Sequence, residues 1–362
     1  MVQRIIILLA EAGIVLSCGR PATVLERGGW DEAVYERLCN LLENAPEHAY
    51  AVFDCDNTSI RHDVSICLMI YQIENLRFAS AQASRFLSGI EDTAIPLAGL
   101  GGMTAADMGS ALAREYEGLE SLLEEGLSLD TVRTTPLYLD FRAQFLAFYE
   151  AIAEEYDYGT FCLWMPALLE GMTTEEAAAL GRESLDYWLS FGKVWDETWI
   201  SPDGTFRATA EKGLVVPQDM KNLYRALDRR GIDVYICSAS AEWLVELLAC
   251  DPDQGFGLPP EHVFGIRLAT GKQVIPRYRE GYVQPYMEGK VDCIRRLIAP
   301  GHSPGTPLLV GGDSQGDLAM LTEWPDLPVG LIMDRGQQGA IRELADSPDP
   351  RFLCQPVTPV QE

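Results

Sequence analysis

The chain has 362 residues, of which 47% are hydrophobic and 23% are charged, a composition typical of a globular protein with one large domain or two moderate ones. With 54 acidic and 28 basic residues its formal net charge is −26, so it offers no broad basic surface and we expect no nucleic-acid partner. The same charge repels anions at long range. A phosphate site on this chain would therefore need local positive charge from a metal ion or a particular lysine.

The first 18 residues contain two short apolar runs ahead of a cysteine. Arg4, these runs and Cys18 resemble a short export signal of the lipoprotein type. Glu11 separates the runs, and a charge at that point opposes insertion into a membrane. We therefore leave two interpretations of residues 1–29 open, an export signal or a cytoplasmic N-terminal segment. We expect no membrane span elsewhere, because no other apolar run approaches about 20 residues.

The sequence pattern of the next part of the chain predicts a helix, a strand and then a long helical segment. Apolar residues at helical spacing predict a helix over 30–45, and the apolar run 49–53 predicts a buried parallel strand that ends at Asp54. Residues 61–215 show helical periodicity and no strand alternation, with loops at 99–102 and 201–204. The clearest helices are predicted over 68–78, 105–116, 139–156 and 174–191.

After Pro217 helices and strands alternate, which is typical of a parallel sheet with helices on both faces. Strands are predicted over 234–237, 263–268, 308–311 and 329–333, and helices over 220–229, 241–250, 290–298 and 317–321. The predicted fold class is therefore α/β, a doubly wound parallel-sheet core with an inserted all-helical cap domain. The expected boundaries are 30–60 and 216–362 for the core and 61–215 for the cap.

Two carboxylates follow the first strand. Asp54 and Asp56 lie two residues apart where the chain leaves the sheet, the place where open α/β sheets carry their sites. Two carboxyl groups in different environments can divide the work of a nucleophile and a proton carrier. We therefore predict that Asp54 attacks phosphorus and that Asp56 handles the proton of the leaving group. An ordinary acidic turn is the alternative for this motif taken alone.

Two further motifs offer contacts to a phosphate group. Ser238 ends a predicted strand just before a helix, so its hydroxyl and the backbone amides at Ala239 suit a phosphate oxygen. Lys290 opens another helix and could neutralise charge on Asp54 and on the phosphate. Taken alone, a serine at this position can be a helix cap, and a lysine at a helix start can be solvated.

The fourth motif is a buried strand that ends in glycines, followed by Asp313 and Asp317. Mg²⁺ prefers hard oxygen ligands, and one or two carboxylates together with a substrate phosphate suffice to hold it. We expect Asp313 to be a direct ligand of the ion, and Asp317 to position Asp313 or Lys290.

These four motifs, in this order, resemble those of the haloacid dehalogenase superfamily. The resemblance implies a Rossmann-like core, an aspartyl-phosphate on Asp54, acid–base work by Asp56, and phosphate contacts from Ser238 and Lys290. It also implies Mg²⁺ as the cofactor. The ligands implied for this ion are Asp54, the carbonyl group of Asp56, and Asp313, with Asp317 beside them.

A helical cap between the first and second motifs is similar to the phosphoserine phosphatase branch of the superfamily. The segments 52–59, 238–240, 288–291 and 312–314, together with Arg61 and Asp63, resemble bacterial phosphorylcholine phosphatases. The chain departs from that group after Asp63, where Ser65 and Ile66 stand in place of acidic residues. This departure concerns the recognition of choline and not the phosphatase activity.

The predicted substrate is a small phosphorylated metabolite, an aminoalcohol phosphate such as phosphocholine. Residues 156–199 are rich in aromatic side chains, which bind ammonium groups. We predict that Trp164 and Trp195 contact the substrate, together with Asn57, Thr58 and Ala239. Glu74 or Asp107 is expected to supply the counter-charge. Packing within the cap is the alternative role of each aromatic residue.

Other functions use similar residues. A phosphoserine phosphatase, another small-metabolite phosphatase or a phosphotransferase would need the same core motifs. A dehalogenase does not require Asp56, and a P-type ATPase requires membrane helices. An inactive ligand-binding protein of the same fold is a more remote alternative. The sequence leaves the oligomeric state open.

Overall fold

A six-stranded parallel sheet forms the centre of the computed structural model, which describes residues 25–80, 82–303 and 305–357. The suggested export signal and Cys18 lie outside the described residues. The sheet has the order β10-β9-β8-β1-β4-β5. Its strands are β1 (Tyr50–Phe53), β4 (Asp233–Ala241), β5 (Val263–Ile266), β8 (Leu309–Gly312), β9 (Val329–Asp334) and β10 (Phe352–Pro356). Two antiparallel hairpins lie outside this sheet, β2–β3 (Trp195–Ile200 and Arg207–Lys212) and β6–β7 (Leu268–Thr270 and Val274–Tyr278).

Helices surround the sheet and make up most of the segment between β1 and β4. Those before and within that segment are α1 (Glu32–Glu43), α2 (Val64–Asn75), α3 (Ala83–Phe86), α4 (Ala105–Glu124), α5 (Leu129–Val132), α6 (Pro136–Glu155), α7 (Tyr158–Ala167) and α8 (Thr174–Leu189). Those after it are α9 (Gln218–Arg229), α10 (Glu242–Ala249), α11 (Glu288–Cys293), α12 (Leu318–Thr322) and α13 (Ala340–Ala345). No helix among the described residues is long and apolar enough to cross a membrane.

Strand β1 is buried on both faces because it lies between two hydrophobic clusters. Alternate side chains of a strand point to opposite faces of the sheet. Ala51 and Phe53 accordingly pack into the larger cluster, whereas Tyr50 and Val52 pack into the smaller one. This arrangement confirms the predicted α/β class with a doubly wound parallel core.

The segment inserted between β1 and β4 differs from the prediction in one respect. It is predominantly helical, but it also contains the β2–β3 hairpin, so the expectation of an all-helical cap is wrong at this point. The alternation of exposed and buried residues in β3 is regular, but its inner face consists of Ala208, Ala210 and Lys212, which do not give the pattern of large apolar residues that predicts a strand. The turn predicted at 201–204 is the tip of this hairpin.

Two neighbouring chain crossings join the inserted segment to the core. Arg61 and Val215 form an isolated antiparallel bridge, with backbone hydrogen bonds of 2.8 and 3.3 Å in the two directions. We propose that the cap begins and ends at this bridge, with residues 61–215 as one domain and residues 30–60 and 216–357 in the other.

The β6–β7 hairpin makes a second connection between core and cap. The backbone N–H of Val274 donates to the carbonyl oxygen of Met172, and Tyr278 donates from its hydroxyl to the carbonyl oxygen of Gly159. Gln273 also bridges to Thr173. The hairpin therefore attaches α7 and the start of α8 to the chain that leads into α11.

Gly265 in β5 has no room for a side chain. A Cβ atom there would lie 2.5 Å from Cα of Glu242 and 2.7 Å from the carbonyl oxygen of Ser240. We expect Gly265→Ala to lower the free energy of unfolding by about 1–3 kcal/mol, the usual cost of overpacking. Denaturant unfolding would measure this loss. Gly301→Ala is the control, because no neighbouring atom of the described residues lies within 4 Å of its added Cβ. Equal midpoints for the two variants would contradict the close packing.

Candidate active site

The loop after β1 brings two carboxylates to the edge of the sheet. The backbone N–H of Asp54 donates to Gly311 on the neighbouring strand at 2.9 Å, which extends the sheet pairing to this residue. Asn57 then adopts a positive φ of 58°, a conformation that asparagine tolerates better than most residues, and turns the chain back. The backbone N–H of His62 closes the loop by donating to Oδ1 of Asn57.

Lys290 links two of the predicted site carboxylates. Its Nζ lies 2.5 Å from Oδ1 of Asp54 and 2.6 Å from Oδ1 of Asp317, and all three side chains are buried. Burial lowers the pKa of Lys290, but the two carboxylates outweigh this effect and raise the pKa well above its usual value. Burial and the charge of Asp317 likewise raise the pKa of Asp54, which Lys290 opposes. Lys290 is therefore a permanently charged contact of Asp54.

Asp317 holds the loop after β8 in place. Its Oδ2 accepts hydrogen bonds from the backbone N–H groups of Asp313 and Ser314 and from the Ser314 hydroxyl. Together with Lys290 on Oδ1, these donors give the carboxylate four hydrogen bonds. Asp317 therefore fixes the loop that carries Asp313 and holds Lys290 beside it.

Asp313 faces the site and is held by residues from two other loops. Its Oδ1 accepts from the Thr58 hydroxyl at 3.1 Å. Its Oδ2 accepts from Nε and Nη2 of Arg335, at 3.0 and 2.7 Å, and from Gln337 at 3.2 Å. Burial and Asp317 raise the pKa of Asp313 to about 6, while Arg335 acts against this shift.

Asp56 is oriented by two hydroxyl groups and a backbone amide. Ser240 and Ser238 donate to its Oδ2 at 2.7 and 3.3 Å, and the N–H of Val64 donates to its Oδ1 at 2.9 Å. Burial and the charge of Asp63 raise the pKa of Asp56 to about 7. A carboxyl group in this range can both give and take a proton near neutral pH.

The donor set suits a divalent cation. Asp54, Asp313 and Asp317 each offer a carboxylate oxygen, and these oxygens lie within 4.8 Å of one another. Carboxylate oxygens are the ligands that hard divalent cations prefer. Asp54 and Asp313 line the cavity described next whereas Asp317 does not, so these two carboxylates are the better placed to take a cation.

A cavity of about 180 Å³ opens between these residues and the inserted segment. Asn57, Ala239, Ser240 and Lys290 are part of its core side. The opposite side is largely aromatic and apolar, and consists of Ile66, Tyr149, Tyr158, Phe161, Cys162, Met165 and Pro166. The cavity thus joins the carboxylate cluster to an apolar wall.

Some of the residues predicted to bind substrate lie elsewhere. Trp164 is fully buried and donates from its indole N–H to Phe86, so the prediction that it contacts the substrate is wrong. Trp195 packs against Phe191 and lines a different cavity. Thr58 is buried behind Asp313, to which it donates, and does not line the cavity.

The two acids predicted to supply a counter-charge also lie outside the cavity. Glu74 forms an ion pair with the buried Lys212 at 2.5 Å. Asp107 caps helix α4 through reciprocal hydrogen bonds with Thr104. Asp63 lines the cavity instead. It caps α2 by accepting from the N–H groups of Ser65 and Ile66 through Oδ1, which leaves Oδ2 unbonded within the described residues.

The sequence interpretation missed Tyr149, Arg335 and the role of Asp63. Arg335 directly follows β9, and the rule that strand ends carry site residues could have indicated it. Tyr149 lies on α6, where neighbouring aromatic residues share the same helical spacing and only packing decides which one faces the cavity.

Comparison with known proteins supports the resemblance to phosphatases that the sequence motifs indicated. The chain is 25% identical over 260 residues to a phosphorylcholine phosphatase from Pseudomonas aeruginosa, an alignment that covers 72% of this chain and 60% of that protein. The chain thus matches less than two thirds of that relative's length. No family model matches the chain.

Several solved structures align with the chain, among them two that cover most of it. One is a conserved protein of unknown function from Anaerococcus prevotii, with a TM-score of 0.79, 28% identity, and coverage of 91% of this chain and 93% of that one. The other is a protein of unknown function from Bordetella pertussis, with a TM-score of 0.45, 15% identity, and coverage of 83% and 95%. The sequence relative confirms the resemblance to a phosphatase that the motifs indicated, and the first structure shows that the fold is shared.

Proposed function

We propose that this chain hydrolyses a phosphomonoester through a transient phosphoryl group on Asp54. The observation that carries the proposal is the contact of Lys290 Nζ with Asp54 Oδ1 at 2.5 Å, beside Asp56 and at the edge of a cavity. A lysine in this position neutralises charge where a nucleophilic carboxylate meets an anionic phosphate. The similarity to a phosphorylcholine phosphatase supports this chemistry.

The proposed reaction has two displacements at phosphorus. A carboxylate oxygen of Asp54 forms a bond to phosphorus while the bond to the leaving oxygen breaks, and Asp56 gives its proton to that oxygen. Asp56 then takes a proton from water, whose oxygen attacks phosphorus. Phosphate leaves and the carboxylate of Asp54 forms again. Ser238 and Ser240 keep Asp56 in position through both steps.

Asp54 and Asp313 would hold Mg²⁺ at this site, with the carbonyl group of Asp56 as the further ligand that the family resemblance implies. The bound ion would neutralise charge on the phosphate oxygens. Asp317 acts by positioning Lys290.

The apolar side of the cavity suits a cationic leaving group. Tyr149 and Phe161 lie with ring centroids 5.5 Å apart, and Tyr158 lies 6.2 Å from Phe161. Aromatic faces attract ammonium groups by about 0.5–2 kcal/mol per contact. Asp63 adds a carboxylate whose Oδ2 is available to the ligand. We therefore propose phosphocholine as the first candidate substrate, and phosphoethanolamine or phosphoserine as the next.

Replacing the nucleophile tests the reaction. We expect Asp54→Asn to reduce phosphatase activity by several orders of magnitude with little change in the fold, because the amide has nearly the same shape but is a poor nucleophile. Hydrolysis of an aryl phosphate and circular dichroism would measure the two properties. Asp228→Asn, an exposed residue on α9, is the matched control. Retention of more than about one per cent of the activity would exclude Asp54 as the nucleophile.

Removal of the metal tests the cofactor. We expect excess chelator to abolish turnover and Mg²⁺ to restore it, whereas Ca²⁺ inhibits because its coordination is larger and looser. Mg²⁺ should also raise the thermal unfolding temperature of the wild-type protein, since a ligand that binds only the folded state stabilises it. This rise should disappear in Asp313→Ala and persist in Asp228→Ala. Full turnover in chelator would contradict the proposal.

Two isosteric esters test the substrate. We expect kcat/KM for phosphocholine to exceed that for 3,3-dimethylbutyl phosphate, its uncharged analogue, by at least about tenfold, since one or two cation–π contacts supply this difference. Asp63→Asn should reduce the ratio and still cap α2, because asparagine is a good N-cap residue. Asp107→Asn is the control at another helix cap. Equal values for the two esters would show that the cap does not recognise a cation.

A further inference from the structure

A second cavity lies beside the candidate active site, at the crossing between core and cap. It has a volume of about 260 Å³ and is bounded by Arg61 and His62 on one crossing, and by Glu211 and Lys212 on the other. Asn57 and Arg335 separate it from the first cavity, and they are the two residues that line both. Nothing in the proposed reaction uses this space.

Arg61 brings to this cavity a positive charge that has no ion-pair partner among the described residues. The side chain forms no ion pair with any carboxylate of the residues that the structure describes, and its Nη1 is buried without a hydrogen-bond partner. Lys212 is already paired with Glu74 and Glu197. Arg335 contacts Asp313 through Nε and Nη2, and its Nη1 has no hydrogen-bond partner among the described residues. A buried guanidinium donor without an acceptor costs free energy, which an anion would recover.

His62 brings to this cavity a hydrogen-bond acceptor that no described residue donates to. Its side chain is buried, and Nδ1 lies 2.8 Å from the carbonyl oxygen of Gly213. A carbonyl oxygen can only accept, so Nδ1 carries the proton and Nε2 of the neutral ring is an acceptor. Nε2 has no hydrogen-bond partner among the described residues. The nearest acidic atom is Oε2 of Glu211 at 3.5 Å, on a side chain that is more than half exposed.

We propose that this second cavity binds a hydrogen phosphate group, with Arg61 and Arg335 donating to its oxygens and Nε2 of His62 accepting its proton. A singly protonated phosphate carries both the negative charge and the O–H group that these residues lack. Sulfate has the same shape but carries no proton at neutral pH. The group can come from free inorganic phosphate or from a phosphate ester.

Equilibrium dialysis of the full chain with radiolabelled inorganic phosphate tests this site. Excess chelator prevents turnover, so the outcome does not depend on the proposed activity. We expect phosphate to bind saturably and about tenfold more tightly than sulfate. This factor corresponds to the one buried hydrogen bond that sulfate cannot donate. Arg61→Gln should weaken phosphate binding at least about tenfold through loss of a charge-assisted hydrogen bond. Arg61→Lys should retain part of it.

Arg229→Gln is the matched control, an exposed arginine on α9 that should leave binding unchanged. Glu211→Gln removes the acidic group nearest to His62 and should tighten phosphate binding. This variant also tests the proposal if Arg61→Gln fails to fold. Equal affinity in the wild-type protein and Arg61→Gln, no tightening in Glu211→Gln, or no saturable binding would each overturn the proposal. If phosphocholine displaces the radiolabelled phosphate in chelator, the site binds phosphate esters. If phosphocholine does not displace it, the site binds free phosphate.

Discussion

The arrangement of this site depends on the pairing of Lys290 with Asp54 and Asp317. Three buried carboxylates, those of Asp54, Asp313 and Asp317, lie close enough for their repulsion to be strong in a medium of low polarity. Half-buried Asp56 adds a fourth carboxyl group. Lys290 contacts two of these groups directly and so allows the chain to keep them together. The site still has an excess of negative charge, which gives it a preference for further cations.

The backbone makes this pairing possible. Parallel strands end at one edge of the sheet, so Asp54 after β1 and Asp313 after β8 meet although they lie far apart in the sequence. Gly312 allows the close approach of Asp317, because a Cβ atom at Gly312 would lie 2.5 Å from Cβ of Asp317. Asp317 can then accept from the backbone of the loop while it holds Lys290. The adjacent strand ends, the absence of a side chain at Gly312 and the hydrogen bonds of Asp317 together fix the positions of the charged groups.

The core of the site could be predicted because its signals are local. Each motif is a short apolar strand followed by polar residues, and the parallel sheet brings the strand ends together. The cap could not be predicted in the same detail. Trp164 and Tyr149 both lie on aromatic helices, and only the packing of these helices decides that Tyr149 faces the cavity while Trp164 is buried. Arg335 also follows a strand of the sheet, so the same rule could have indicated it.

The bridge between Arg61 and Val215 has a consequence for how such a protein can diversify. The two ends of the inserted segment leave the core side by side, within hydrogen-bonding distance. A segment whose ends are adjacent can be lengthened, shortened or exchanged without moving the strands on either side, which is why domain insertions are tolerated at such points. The residues that contact a leaving group can therefore change over evolution while Asp54 and Lys290 stay in register.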